Sequence, residues 1–209
     1  MTVLALPQPH GIRLDLPGAD LRLWPQWLPR EQADELLQSL LRDLPWEVHR
    51  IRLFGREVDS PRLSCWVGDD DAVYRYSGTR FQPRAWTPAL AQLRDCLQLQ
   101  TGVRFNSVLA NLYRDGRDAM GWHSDDEPEL GLQPAIASVS LGGERRFALK
   151  HRREPVHRIA LALPHGSLLL MAGDTQRNYR HALPRTARPV GPRINLTFRW
   201  IKAGRASGA

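Results

Sequence analysis

From Phe105 onward the chain reads FNSVLANLY (105–113), AIASVSL (135–141), RRFALKH (145–151), RIALAL (158–163), SLLLMA (167–172) and RINLTFRWI (193–201). Each run is short, rich in β-branched and aliphatic residues, and bounded by Gly, Pro or Asp clusters. That rhythm is the pattern of a double-sheet jelly roll. The expected class is therefore α+β, with a jelly-roll core over about 105–201 and a tail at 202–209. Residues 1–104 read as an N-terminal extension of helices and short strands within one domain. Pro29 is expected at the first helical position of EQADELLQSLLRDL (31–44), where Ala33, Leu36, Leu37, Leu40, Leu41 and Leu44 form one apolar stripe ended by Pro45. A second helix opens with Thr87 as N-cap and Pro88 behind it, buries Leu90, Leu93 and Leu97, and stops before Gly102. Between them WEVHRIRLF and REVDSPRLSCW, with Phe54-Gly55 at the reversal, read as a hairpin or projecting loop.

The composition excludes several classes. With 209 residues and 42% hydrophobic content the chain can bury a core without disulfides. Cys65 and Cys96 are the only cysteines, which fits a reducing compartment. No apolar run approaches a membrane span, and MTVLALPQPHGIRLDLPG lacks a basic n-region and is broken by Pro7 and Pro9. A cytoplasmic monomer with no membrane partner is the expectation. The net charge of +7 is carried almost wholly by arginine, Lys150 and Lys202 being the only lysines. Such a balance points to an anionic partner, although Ala, Arg, Leu and Pro are abundant throughout.

The sharpest local signal is WHSDDEPELG (122–131), followed far downstream by RHALPR (180–185). His123 and Asp125 are two residues apart, so on an extended strand they share a face. His181, from a later strand, completes a set of two imidazoles and one carboxylate. That set suits non-haem Fe(II), leaving positions open for a co-substrate and dioxygen, although two histidines can also hold zinc. The last strand, PRINLTFRWI (192–201), places Arg193, Asn195, Thr197 and Arg199 on one face and Ile194, Leu196, Phe198 and Trp200 on the other. Two arginines and an amide make a carboxylate-binding surface. Turned into a barrel they would need an anionic partner, and a dicarboxylate ligand would supply one.

These motifs, with RLFGREV (52–58), PRLSCWVGDDDAVYRYSG (61–78), IASVSLGGERRFAL (136–149) and HGSLLLMAG (165–173), occur in an order that resembles one family. It is the AlkB-type Fe(II)/2-oxoglutarate-dependent dioxygenases that demethylate nucleic-acid bases, and the likeness runs from about Ile51 to Ile201. The resemblance implies a double-stranded β-helix with a nucleotide-recognition lid. It implies Fe(II) held by His123, Asp125 and His181, and 2-oxoglutarate and dioxygen as co-substrates. Asn111, Tyr113, Arg193, Asn195 and Arg199 would line the 2-oxoglutarate pocket, with Arg199 on the distal carboxylate and Arg193 nearer the metal. The implied activity is oxidative removal of alkyl groups from bases of the N1-methyladenine and N3-methylcytosine type, in DNA or RNA. The alternative is a 2-oxoglutarate oxygenase acting on a protein or small molecule.

A base carrying such a lesion must leave the stack to be reached. By resemblance Tyr76 would stack on it, with Trp122 or His123 as the opposite wall, and Tyr74 and Glu127 would meet its polar edge. Phe54 matches an apolar wedge that fills the gap in a duplex, its alternative being a residue folded onto the core. Arg50, Arg52, Arg56, Arg62, Arg75 and Arg80 are expected to face phosphates around it. DEPELG instead resembles a single-strand-preferring relative, so the cues on strandedness point in opposite directions.

Overall fold

The computed structural model describes residues 11–53, 56–76 and 79–202; for 49–53, 56–58, 74–76 and 79–81 only the backbone is described. In chain order the strands are β1 (Ile12–Arg13), β2 (Asp20–Trp24), β3 (Glu47–Leu53), β4 (Arg56–Gly68), β5 (Tyr74–Tyr76), β6 (Thr79–Phe81), β7 (Ser107–Tyr113), β8 (Met120–His123), β9 (Ile136–Gly142), β10 (Arg145–His151), β11 (Arg158–Leu163), β12 (Ser167–Ala172), β13 (Tyr179–Leu183) and β14 (Arg193–Arg199). Three helices interrupt them: α1 (Arg30–Asp43), α2 (Pro88–Thr101) and the single turn α3 (Thr175–Asn178). An eight-stranded sheet, β1-β2-β12-β9-β14-β7-β4-β3, faces a four-stranded one, β11-β10-β13-β8, and β5 and β6 pair separately. All named strand pairs are antiparallel. This is the expected jelly roll.

Alternation along the major sheet separates two apolar cores. One face carries Cys65 and Val67 of β4, Val108, Ala110 and Leu112 of β7, Val139 and Leu141 of β9, and Ile194, Leu196 and Phe198 of β14. It packs beneath Leu36 and Leu40 of α1 and Leu90, Leu93 and Leu97 of α2. The other face looks into the roll, where Trp66, Ile136, Leu169 and Met171 meet Phe147, Leu149, Leu161, Leu163 and Leu183 of the minor sheet. At about 1.5–3 kcal/mol per fully buried large aliphatic side chain, both cores hold the sheets at fixed separation. Polar residues on the inner face of β4, β7 and β14 thereby line a cavity inside the roll.

The helices brace the sheet as expected. Thr87 accepts a hydrogen bond from the Leu90 amide at 3.3 Å, and α2 ends at Gly102, whose φ of 71° is the left-handed conformation glycine adopts freely. Pro29 is the N-cap of α1 rather than its first residue, with ψ of 146° still extended. Two further expectations need correction. Residues before 105 supply β1–β4, half of the major sheet, so they extend the sheet as well as brace it. Trp200, expected on the same strand face as Phe198, lies just past the end of β14 and is 40% exposed.

Candidate active site

β8 and β13 are neighbours in the minor sheet, and their register places His123 directly opposite His181. The two rings stand edge to face with centroids 4.2 Å apart. β8 ends at His123, so Asp125 is not on the strand. The loop brings it back beneath the rings: its Oδ1 is 3.8 Å from His123 Nε2 and its Oδ2 is 3.9 Å from His181 Nε2. One ligand atom from each residue lies within 4.8 Å of the others. Three ligands about 2.1 Å from one ion sit about 3 Å apart, so a small inward closure suffices to bind a metal. His123 Nδ1 lies 2.9 Å from the Gly121 carbonyl, to which it donates, and this turns the Nε2 lone pair toward the other two ligands.

The electrostatics suit a cation. Burial, with the neighbouring His123 adding to it, pushes the His181 imidazole down to about 3, and burial lowers His123 as well. Both rings are therefore neutral near pH 7, the form that ligates metal. Burial alone would raise Asp125, but Arg199, His181 and His123 around it bring it down to about 2. Arg199 Nη2 donates to Asp125 Oδ1 at 2.9 Å, fixing the carboxylate plane.

The cluster occupies one end of a cavity of about 980 Å³, counted out to its open mouth. The floor is the inner face of the major sheet: Ser60, Arg62, Ser64, Asn111, Tyr113, Ser138, Arg193, Asn195, Thr197 and Arg199. Arg193 is 1% exposed and donates from Nη2 to Ser140 Oγ at 2.9 Å and to Asn195 Oδ1 at 2.8 Å. Its guanidinium carbon stands 5.4 Å from the Tyr113 ring centre, and among the described residues its Nε has no hydrogen-bond partner. Burial pulls its pKa down to about 10, so it remains charged near neutrality. Among the described residues no carboxylate forms a salt bridge with it. A buried cation with only neutral partners calls for an anionic ligand.

This geometry reverses the order of the two arginines expected from the resemblance. Arg199 is against the metal-ligand carboxylate. Arg193, six residues away and thus roughly 20 Å along the strand at the backbone, holds the far end. A dicarboxylate chelating a metal at the His–Asp–His cluster would extend along β14 toward Arg193, so the geometry favours Arg193 over Arg199 as its distal anchor.

Comparison with known proteins points to one superfamily. Residues 20–199 match the family model of the 2OG-Fe(II) oxygenase superfamily. The chain is 39% identical over 182 residues to human DNA oxidative demethylase ALKBH2, covering 82% of this chain and 70% of the relative. The chain belongs to this superfamily, in its AlkB branch. It is also 38% identical over 188 residues to human alpha-ketoglutarate-dependent dioxygenase alkB homolog 3, covering 86% of this chain and 65% of that one. The chain thus spans about two thirds of the length of these relatives. The solved structure of OsALKBH1 superposes with a TM-score of 0.61 at 15% identity, covering 90% of this chain and all of that one, a likeness of fold.

Within this AlkB-type frame the remaining expected residues divide. Asn111, Tyr113, Arg193, Asn195 and Arg199 are brought together on the cavity floor. Trp122 is not in the cavity. Adjacent to His123 on β8, it points to the opposite side of the sheet by strand alternation, 45% exposed, with Lys150 Nζ 4.2 Å over its ring. Glu127 is half-buried at the start of the 3-10 turn Pro128–Leu130, outside the cavity lining. Phe54 lies outside the described residues. Tyr74 and Tyr76 pair in register with Phe81 and Thr79, but their side chains, and those of Arg50, Arg52, Arg56, Arg75 and Arg80, are not described. Arg62 is not a phosphate-facing surface residue. It is 8% exposed and points into the roll, donating from Nε to Asn111 Oδ1 at 2.7 Å and from Nη1 to Ser60 Oγ at 3.2 Å. The alternation Ser60, Arg62, Ser64, Trp66 against Leu63, Cys65, Val67 was the signal that could have placed it inside.

Proposed function

We propose that the protein uses Fe(II), 2-oxoglutarate and dioxygen to remove alkyl groups from bases of DNA, with RNA as a second substrate. The observation that carries this reading is the cavity itself. A neutral-imidazole, ionised-carboxylate cluster closes one end, and a buried arginine without an acidic partner closes the other. Iron and 2-oxoglutarate, when bound, supply the oxidation of the alkyl carbon on the base nitrogen, after which the alkyl group leaves as an aldehyde. His123, Asp125 and His181 would hold the metal on one face and leave the facing side open. Arg199 keeps Asp125 ionised and oriented. Arg193, with Tyr113 beside it and Asn195 below, would hold the distal carboxylate. Arg62 fixes the Asn111 amide oxygen toward itself, which turns the amide nitrogen away as a donor.

The nucleic-acid substrate is supported by the likeness to the human relative, a DNA oxidative demethylase, and by the net charge of +7. With Trp122 outside the cavity, Tyr76 and the His123 ring are the pair assigned to sandwich the extruded base. Tyr74 and Glu127 are assigned to its polar edge, and Phe54 to the gap left in a duplex. The test is incubation with single- and double-stranded oligonucleotides carrying N1-methyladenine or N3-methylcytosine, read by mass spectrometry. Restored bases that depend on both iron and 2-oxoglutarate support the proposal. Succinate formation with untouched oligonucleotides would move the reading to a protein or small-molecule substrate.

A further inference from the structure

The loop that carries Asp125 has no strand to fix it, yet it is tied residue by residue to the segment leading into His181. Ser124 Oγ donates to the Tyr179 carbonyl at 2.7 Å, and the Asp125 amide donates to Gln176 Oε1 at 3.0 Å. Arg152 pairs with Asp126 and donates to the Gln176 carbonyl at 3.4 Å. Of these ties only the one from Gln176 reaches the metal-ligand residue's own backbone. Gln176 is 1% exposed, and its Nε2 contacts Met171 Sδ at 3.6 Å, so the side chain is sandwiched in one orientation with its oxygen toward Asp125. The Asp125 amide it satisfies is buried, and a buried N–H must find an acceptor or move to one.

We infer that Gln176 is a positioning residue for the metal site, holding the Asp125 backbone so that its carboxylate meets the two imidazoles. This rests on the iron reading above. No strand register sets Asp125, and a rotation at its backbone would carry the carboxylate away from the rings facing each other across β8 and β13. The acceptor oxygen is the feature that matters. A side chain of equal length without it leaves the amide unsatisfied and the loop free to turn.

The test compares native apoprotein with Gln176→Met, which keeps length and volume but loses the acceptor, and Gln176→Glu, which keeps an acceptor oxygen. Each is titrated with Co(II), following its visible d–d absorption, and the thermal midpoint of each apoprotein is measured beside it. The expected result is a Co(II) dissociation constant raised about tenfold or more by Gln176→Met and within about threefold of native for Gln176→Glu. The apoprotein midpoints should stay within a few degrees of one another. If native protein binds Co(II) and Gln176→Met matches it, the assignment of Gln176 is overturned while the metal site stands. If Gln176→Glu loses as much affinity as Gln176→Met, the acceptor role is overturned. If native protein takes up no Co(II), the metal reading falls and this inference with it.

Discussion

Replacing Arg193 with Met separates ligand binding from folding in a way the two arginines of β14 should answer oppositely. In the apoprotein Arg193 is a fully buried charge whose contacts are Ser140, Asn195 and the Tyr113 ring. Removing such a cation relieves a desolvation cost of several kcal/mol, against roughly 1–3 kcal/mol for an acceptor left unpaired. The apoprotein midpoint should hold or rise. The same change removes the partner of the distal carboxylate. A charge-assisted hydrogen bond is worth roughly 1.5–3 kcal/mol, so the apparent KM for 2-oxoglutarate should rise about 10- to 100-fold. Arg199→Met should do the reverse. It strips Asp125 Oδ1 of its 2.9 Å partner and leaves a buried carboxylate uncompensated, costing the apoprotein roughly 3–5 kcal/mol. The assays are thermal melts of both apoproteins and succinate formation against 2-oxoglutarate concentration. An Arg193→Met protein that melts several degrees lower yet keeps native 2-oxoglutarate dependence would refute the reasoning.

Three further outcomes follow from the same geometry. His123→Ala, Asp125→Ala and His181→Ala should each abolish turnover while the protein stays folded, since the three side chains supply the metal ligands; turnover near native in any of them, with iron verified absent, removes the metal assignment. The apoprotein should lose stability on acidification. His181 is held down to about 3 against 6.5 when unfolded, so between these values the unfolded chain binds the extra proton, and this group alone contributes a slope approaching about 1.4 kcal/mol per pH unit. Asp125 adds to this only at the acid end, its contribution being present above 3.8 and lost as pH falls through about 2; a flat stability curve from pH 6.5 to 3.5, or no flattening in His181→Phe, contradicts the assignment. Arg145 donates from Nη1 and Nη2 to the backbone carbonyls of Asp115, Asp118 and Pro184 at 2.7–2.9 Å, so Arg145→Met, which leaves three acceptors short of a donor, should destabilise by roughly 3–5 kcal/mol in chemical denaturation, and a neutral result would contradict that role.

The parts of the fold that could be read in advance are those where pattern and structure share a period. RIALAL and SLLLMA became β11 and β12 residue for residue because alternating and continuous apolar runs have only one way to be buried in a two-sheet roll. β2 has little signal in the sequence, because Leu21 and Leu23 are followed at once by tryptophans and prolines, and its pairing with β12 makes it a strand. His123 and His181 were legible as residues, but their facing register belongs to the sheet. Asp125 does lie with His123 and His181, but not by the alternation of a strand, since β8 ends two residues earlier. The order of Arg193 and Arg199 had no local signal. Two arginines on one face are equivalent until the neighbouring strands show which end meets the metal. Gln176 was invisible for a similar reason, acting on a residue 51 positions away.

The measurement that bears most directly on the central claim is the ratio of succinate formed to methyl groups removed from an oligonucleotide carrying N1-methyladenine, under Fe(II) and air. The account predicts one succinate per restored adenine, with formaldehyde released in equal amount and all three products lost in His181→Ala. Adenine restored without 2-oxoglutarate consumption, or restored equally by His181→Ala, would contradict it.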